Sequence, residues 1–134
     1  MVAAEVTPDC SEILVVEDEH ELQVSLSTVL GDEGYSVTCV NHGKAALEHL
    51  RSPAARPCVI LLDLMMPVMT GFDFRREQQR DPSLAAIPVI VLSANAGDHA
   101  GDVQPAATFR KPVELDEVIG MVRLLLAESD VWHS

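Results

Sequence analysis

Three short runs of the chain are apolar without interruption: Ile13-Leu14-Val15-Val16, Cys58-Val59-Ile60-Leu61-Leu62 and Val89-Ile90-Val91-Leu92. Each is rich in β-branched residues and stops abruptly, at Glu17-Asp18-Glu19, Asp63 and Ser93 respectively, which is the pattern of strands buried on both faces. Tyr35 to Val40 and Ala107 to Arg110 are further strand candidates, the second ending at Lys111-Pro112. Between these runs the apolar positions recur at helical spacing. Leu22, Leu26, Val29 and Leu30 form one stripe, stopped by Gly31-Asp32-Glu33-Gly34. Gly43 to Arg51 forms a short helix with Ala46, Leu47 and Leu50 inward, and Gly71 to Arg80 a polar one closed by Asp81-Pro82. Leu115, Val118, Ile119, Val122, Leu125 and Leu126 mark the clearest helix, Glu114 to Ala127.

Five strands alternating with helices predict an α/β domain, a doubly wound five-stranded parallel sheet with helices on both faces, because parallel strands need crossovers and the crossovers cover the sheet. The predicted body runs from 12 to 128. Residues 1–11 lack periodicity and read as a flexible N-terminal tail, and 129–134 as a frayed C-terminal one. With no internal repeat or linker, the expectation is a stand-alone domain or one cut from a longer chain.

Composition narrows the function. Nine Lys and Arg against 21 Asp and Glu leave a formal charge of −12, so the surface repels phosphate backbones and anionic lipids, and neither direct nucleic-acid nor membrane binding is expected. An acidic balance is also the ordinary route to solubility. Cys10, Cys39 and Cys58 are odd in number and far apart, so neither a disulfide scaffold nor a zinc site is expected, and Cys39 and Cys58 read as small buried hydrophobes. No signal-like start and no uncharged stretch of about 18 residues is present, which points to a cytoplasmic protein.

In open parallel sheets the ligand site lies beyond the carboxyl ends of the strands. Here those ends carry Glu17 and Asp18, Asp63, Ser93 and Lys111. Singly these are ordinary: an acidic pair after a strand complements a helix N-terminus, and Ser93 and Lys111-Pro112 read as a cap and a turn. Jointly they bring three carboxylates, a hydroxyl and an ammonium to one edge. Hard oxygen ligands suit Mg²⁺, which takes one or two carboxylates plus a phosphate oxygen. The set then reads as a phosphoryl-transfer site, with Asp63 as nucleophile, Mg²⁺ and Lys111 neutralising charge, and Ser93 donating to the phosphoryl group.

With these residues the chain resembles the receiver domain of two-component response regulators, stand-alone and chemotaxis-regulator-like, over roughly Glu12 to Ala127. The motifs that carry the likeness are Ile13 to Glu19, Leu61-Leu62-Asp63-Leu64-Met65-Met66-Pro67 with Thr70-Gly71, Pro88 to Ala94, and Arg110-Lys111-Pro112. The resemblance implies a flavodoxin-like strand order 2-1-3-4-5 and a phosphoryl group accepted on Asp63 from a histidine kinase or histidine phosphotransfer protein. It implies Mg²⁺ on Asp18, Asp63 and the Met65 carbonyl, with Glu17 acting through water. It also implies Ser93 and Lys111 at the phosphoryl group, a cis Lys111-Pro112 peptide, and a monomer or weak homodimer acting on a further protein.

Three departures qualify the likeness. Thr108 stands where an aromatic switch residue is usual, and Phe109 is one place off. Only 17 residues separate Ser93 from Lys111, which predicts a shortened or missing helix there. Arg75, Arg76 and Gln78 replace apolar residues after Gly71-Phe72, leaving a thin stripe of Phe72 and Phe74 on a polar helix or a docking face. The leading expectation is a phosphorelay or signalling switch, not an enzyme beyond its own phosphorylation and dephosphorylation. The alternative is a phosphorylation-independent docking module with an atypical switch. An aspartyl phosphatase would need a second Asp where Met65 stands, and a dinucleotide enzyme a Gly-rich loop after the first strand.

Overall fold

The computed structural model describes residues 12–53, 57–66, 68–94 and 103–133, the last seven as backbone only. In chain order they form β1 (Glu12–Val16), α1 (His20–Asp32), β2 (Ser36–Val40), α2 (Gly43–Leu50), β3 (Pro57–Asp63), α3 (Gly71–Arg80), β4 (Val89–Ser93), β5 (Ala107–Arg110) and α4 (Leu115–His133). The sheet order is β2-β1-β3-β4-β5, and every pairing is parallel.

The doubly wound expectation therefore holds, and its cause is visible in burial. β1, β3 and β4 are central and covered on both sides, so Ile13 to Val16, Val59 to Leu62 and Val89 to Leu92 lose all or nearly all contact with water. On one face Leu14, Val16, Ile60, Leu62 and Val91 pack with Ala46, Leu47 and Phe74 from α2 and α3. On the other, Ile13, Val15, Leu61, Ile90 and Leu92 pack with Leu26 and Leu30 of α1 and Val118 and Val122 of α4. The edge strands β2 and β5 are half-exposed, as their mixed sequences require.

The helix ends follow local chemistry. α1 closes with Gly34 at a φ of 99°, its amide donating to Gly31 O and that of Tyr35 to Leu30 O, a double closure that needs a left-handed residue. His42 Nδ1 accepts from the Ala45 amide at the start of α2, and Thr70 Oγ1 from the Asp73 amide at the start of α3.

Three expectations change. α4 runs to His133, past the end predicted at Ala127 and through the stretch expected as a C-terminal tail, because no Gly or Pro interrupts 127–133 once the apolar stripe has started the helix. Cys58 is buried in the core as expected, but it is also disulfide-bonded, of which its spacing gave no sign. Cys39 is free, half-buried beside Ser27 Oγ. The expected weak helix after Ser93 falls mostly on 95–102, and the expected N-terminal tail on 1–11, both outside the described residues. No described helix is long and apolar enough to cross a membrane.

Candidate functional site

Parallel strands all point their carboxyl ends at one edge, so the residues predicted at the strand ends lie along the same edge. Glu17 follows β1, Asp63 and Ser93 end β3 and β4, and Lys111 follows β5. Glu17, Asp63 and Ser93 are 0%, 2% and 4% exposed, whereas Asp18 faces water. Carboxylate oxygens of Glu17, Asp18 and Asp63 all lie within 4.8 Å of one another.

The site is held by a few directed contacts. Lys111 Nζ stands 3.0 Å from Glu17 Oε1 and 3.4 Å from Asp63 Oδ2. The amide of Met65 donates to Asp63 Oδ1 at 3.0 Å and that of Glu19 to Glu17 Oε2 at 3.0 Å. The Lys111 amide donates to Ser93 O at 2.7 Å, which fixes the lysine's backbone to the end of β4. The peptide bond Lys111-Pro112 is cis, as the resemblance implied. Gly71 admits a close approach: a Cβ there would stand 2.5 Å from the carbonyl oxygen of Asp63.

Electrostatics single out this edge. Burial pushes Glu17 up to about 7, against the pull of the Glu19 amide and the Lys111 ammonium, with the Asp63 charge adding to the rise. Burial also raises Asp63, opposed by the Met65 amide and by Lys111. Burial lowers Lys111, but its hydrogen bond to Glu17 and the charge of Asp63 outweigh that, and its net shift is upward. One lysine thus serves two buried carboxylates. Glu17 Oε1, though close to Lys111, is buried without a well-directed hydrogen bond. An under-satisfied buried carboxylate beside two others is the environment a hard divalent cation fits, since the cation supplies the missing positive charge.

Residues 13–123 match the family described as response regulator receiver domain. The chain belongs to the response regulator receiver family. Among curated relatives of this receiver is the alkaline phosphatase synthesis transcriptional regulatory protein SphR of Synechococcus elongatus, 32% identical over 130 residues, covering 89% of this chain and 50% of SphR. The chain thus spans about half the length of the curated relatives it matches. Among solved structures, the receiver domain of a signal transduction histidine kinase from Syntrophus aciditrophicus superposes with a TM-score of 0.79 at 28% identity, covering 89% of this chain and 92% of that one. The phosphorylated cyanobacterial phytochrome response regulator RcpA superposes at 0.72 with 27% identity, covering 93% and 95%. Receivers are signalling modules of two-component systems, not metabolic enzymes.

Sequence reasoning missed one residue of the receiver's acidic edge and misjudged α3. Gln23 is buried on α1; its amide donates to the carbonyl of Glu17 and, at 2.8 Å, to Asn41 Oδ1, tying the acidic loop to the end of β2. The sign was there: Gln23, Leu26 and Leu30 share a face at i, i+3 and i+7. On α3 Arg75 and Gln78 are neither solvated nor displayed for docking, whereas Arg76, Gln79 and Arg80 face water as a polar helix would have them. Gly71, Phe74, Arg75 and Gln78 are the buried positions, again at i, i+3, i+4 and i+7. On β5, Thr108 is exposed and Phe109 packs with the cluster over α1 and α4. Alternation along a strand puts these two on opposite faces, so Phe109 does not substitute for the missing aromatic.

Proposed function

We propose that Asp63 accepts a phosphoryl group from the phosphohistidine of a histidine kinase or histidine phosphotransfer protein, and that the domain acts as a relay or switch in that signal path. The observation that carries this reading is the pairing of buried Asp63 with Lys111 Nζ at 3.4 Å inside the three-carboxylate edge. An Asp63 oxygen attacks phosphorus; the new P–O bond forms as the P–N bond breaks, and the imidazole leaves with its electron pair. The Met65 amide holds Oδ1 of the nucleophile and orients it. Lys111 places an ammonium where negative charge spreads over the phosphoryl oxygens, and Ser93, one strand away, stands to donate its hydroxyl to one of them.

Glu17, Asp18 and Asp63, with the carbonyl of Met65, would hold Mg²⁺, Glu17 acting through water. When bound, the ion supplies charge neutralisation and a template for the phosphate oxygens. Support for the phosphorylated state comes from RcpA, which is similar in fold and was solved phosphorylated.

The test is intact mass after incubation with a small acyl phosphate and Mg²⁺, on the wild type and on Asp63→Asn. A base-labile gain of about 80 Da by the wild type alone is expected. If neither protein gains mass while Mg²⁺ still binds, the reading fails and the domain is a phosphorylation-independent docking module.

A further inference from the structure

Arg75 is 8% exposed, and among the described residues no carboxylate pairs with it. The other arginines in ion pairs on α3 and α4, Arg76, Arg80 and Arg123, are surface residues beside Asp73, Glu77 and Glu33. Burying a guanidinium without a counter-charge is costly, so its partners say what it is for. They are all neutral oxygens. Nε donates to Val103 O at 2.8 Å, Nη1 to Gln78 Oε1 at 2.8 Å and Nη2 to Gln104 O at 3.2 Å. Gln78, fully buried, donates in turn to Leu84 O at 2.9 Å and Ile87 O at 3.1 Å. The planar fork of an arginine holds several carbonyls in one fixed geometry, which the smaller, freely rotating ammonium of a lysine does not impose.

Val103 and Gln104 are the limb that leads into β5. Gln104 is left-handed, with a φ of 52°, and two residues later the Ala106 amide donates to Val89 O at 2.8 Å. β5 is four residues long and, among the described residues, pairs only with β4, so the anchor of the preceding limb counts heavily for where the strand lies. Lys111 is the residue that follows it. Only 13 residues, 94–106, join β4 to β5, close to the minimum for a parallel crossover.

We infer that Arg75 is a positioning residue for the phosphoryl site: by tying Val103 and Gln104 to α3 it anchors the short crossover and thereby sets β5 and Lys111 against Ser93 and Asp63. The inference rests on the reading of Asp63 as phosphoryl acceptor. It also joins two departures that the sequence presented separately, the polar α3 and the short crossover.

The test compares Arg75→Met, similar in length but unable to donate, and Arg75→Lys, which keeps the charge. Expected for Arg75→Met are faster hydrogen exchange of the β5 amides and phosphorylation by acyl phosphate slowed about tenfold or more, since small displacements of a charge-neutralising group are strongly felt. Mg²⁺ affinity does not fall, because the carboxylates sit at the ends of β1 and β3, whereas the hydrogen bonds of Arg75 go to Val103, Gln104 and Gln78. Arg75→Lys recovers part of the rate. Unchanged β5 exchange with an unchanged rate overturns the inference, as does a loss of Mg²⁺ affinity equal to the loss of rate, which marks general loosening. A wild type that takes up no phosphoryl group sinks the reading of Asp63 instead, and β5 exchange in the variant still decides the role of Arg75.

Discussion

Lys111 Nζ lies 3.0 Å from Glu17 Oε1, joining two residues 94 positions apart, one after β1 and the other after β5, with β3 and β4 between those strands. The pair closes the site electrostatically: the ammonium is the one described cation against buried Glu17 and Asp63, and it reaches them because β1, β3 and β5 end at the same edge.

Removing that cation strands a buried charge. Lys111→Met is expected to destabilise the metal-free protein by about 3 kcal/mol at pH 8, where Glu17 must either stay ionised without its partner or take up a proton against the solution pH. At pH 5 Glu17 holds a proton and the loss is less than half as large. Urea unfolding at the two pH values checks this; equal losses would mean that the pair does not carry the effect.

The pH dependence of the unaltered protein has a definite sign. Glu17 titrates near 4.5 when exposed and about 7 in the folded chain. Between those values the folded state keeps a proton that the unfolded state has released, so stability falls as pH rises through the window and the loss is complete above about 7. Asp63, also raised, adds with the same sign. Metal-free protein therefore loses melting temperature from these groups between pH 5 and 8, Glu17→Gln flattens the slope, and Mg²⁺ raises the melting temperature more at pH 8 than at pH 5.

Gln23 holds the acidic loop from behind by its bond to the Glu17 carbonyl. Outer groups of this kind orient metal ligands. Gln23→Leu is expected to weaken Mg²⁺ binding about tenfold in titration calorimetry, with a smaller effect in Gln23→Asn if the shorter amide still reaches Asn41. Wild-type affinity in Gln23→Leu would show the loop to be set by the backbone alone.

Gly71 is constrained by space rather than by φ. Its missing Cβ would meet Asp63 O at 2.5 Å and Leu64 Cα at 2.7 Å, both backbone atoms that cannot turn aside. Gly71→Ala is expected to cost about 2 kcal/mol of stability and to slow phosphorylation of Asp63, measured by unfolding and by intact mass. A cost within a few tenths of a kcal/mol would mean that the β3–α3 loop shifts freely.

The sequence by itself determined the strand order's raw material and the chemistry of the edge. Continuous β-branched runs can be satisfied only by burial on both faces, which forces crossover helices and a parallel sheet. Strand-terminal Glu17, Asp18, Asp63, Ser93 and Lys111 were legible because a parallel sheet delivers every strand end to one side. Tertiary structure decided what depends on partners distant in the chain. Whether Gln23, Arg75 and Gln78 face solvent or the interior could not follow from their polarity, because a buried polar group is stable only where oxygens such as Asn41 Oδ1, Val103 O and Leu84 O wait for it. The disulfide at Cys58 and the run of α4 to His133 likewise depend on what packs nearby. Local pattern sets which faces must be buried; the assembled sheet sets which polar groups can follow them inside.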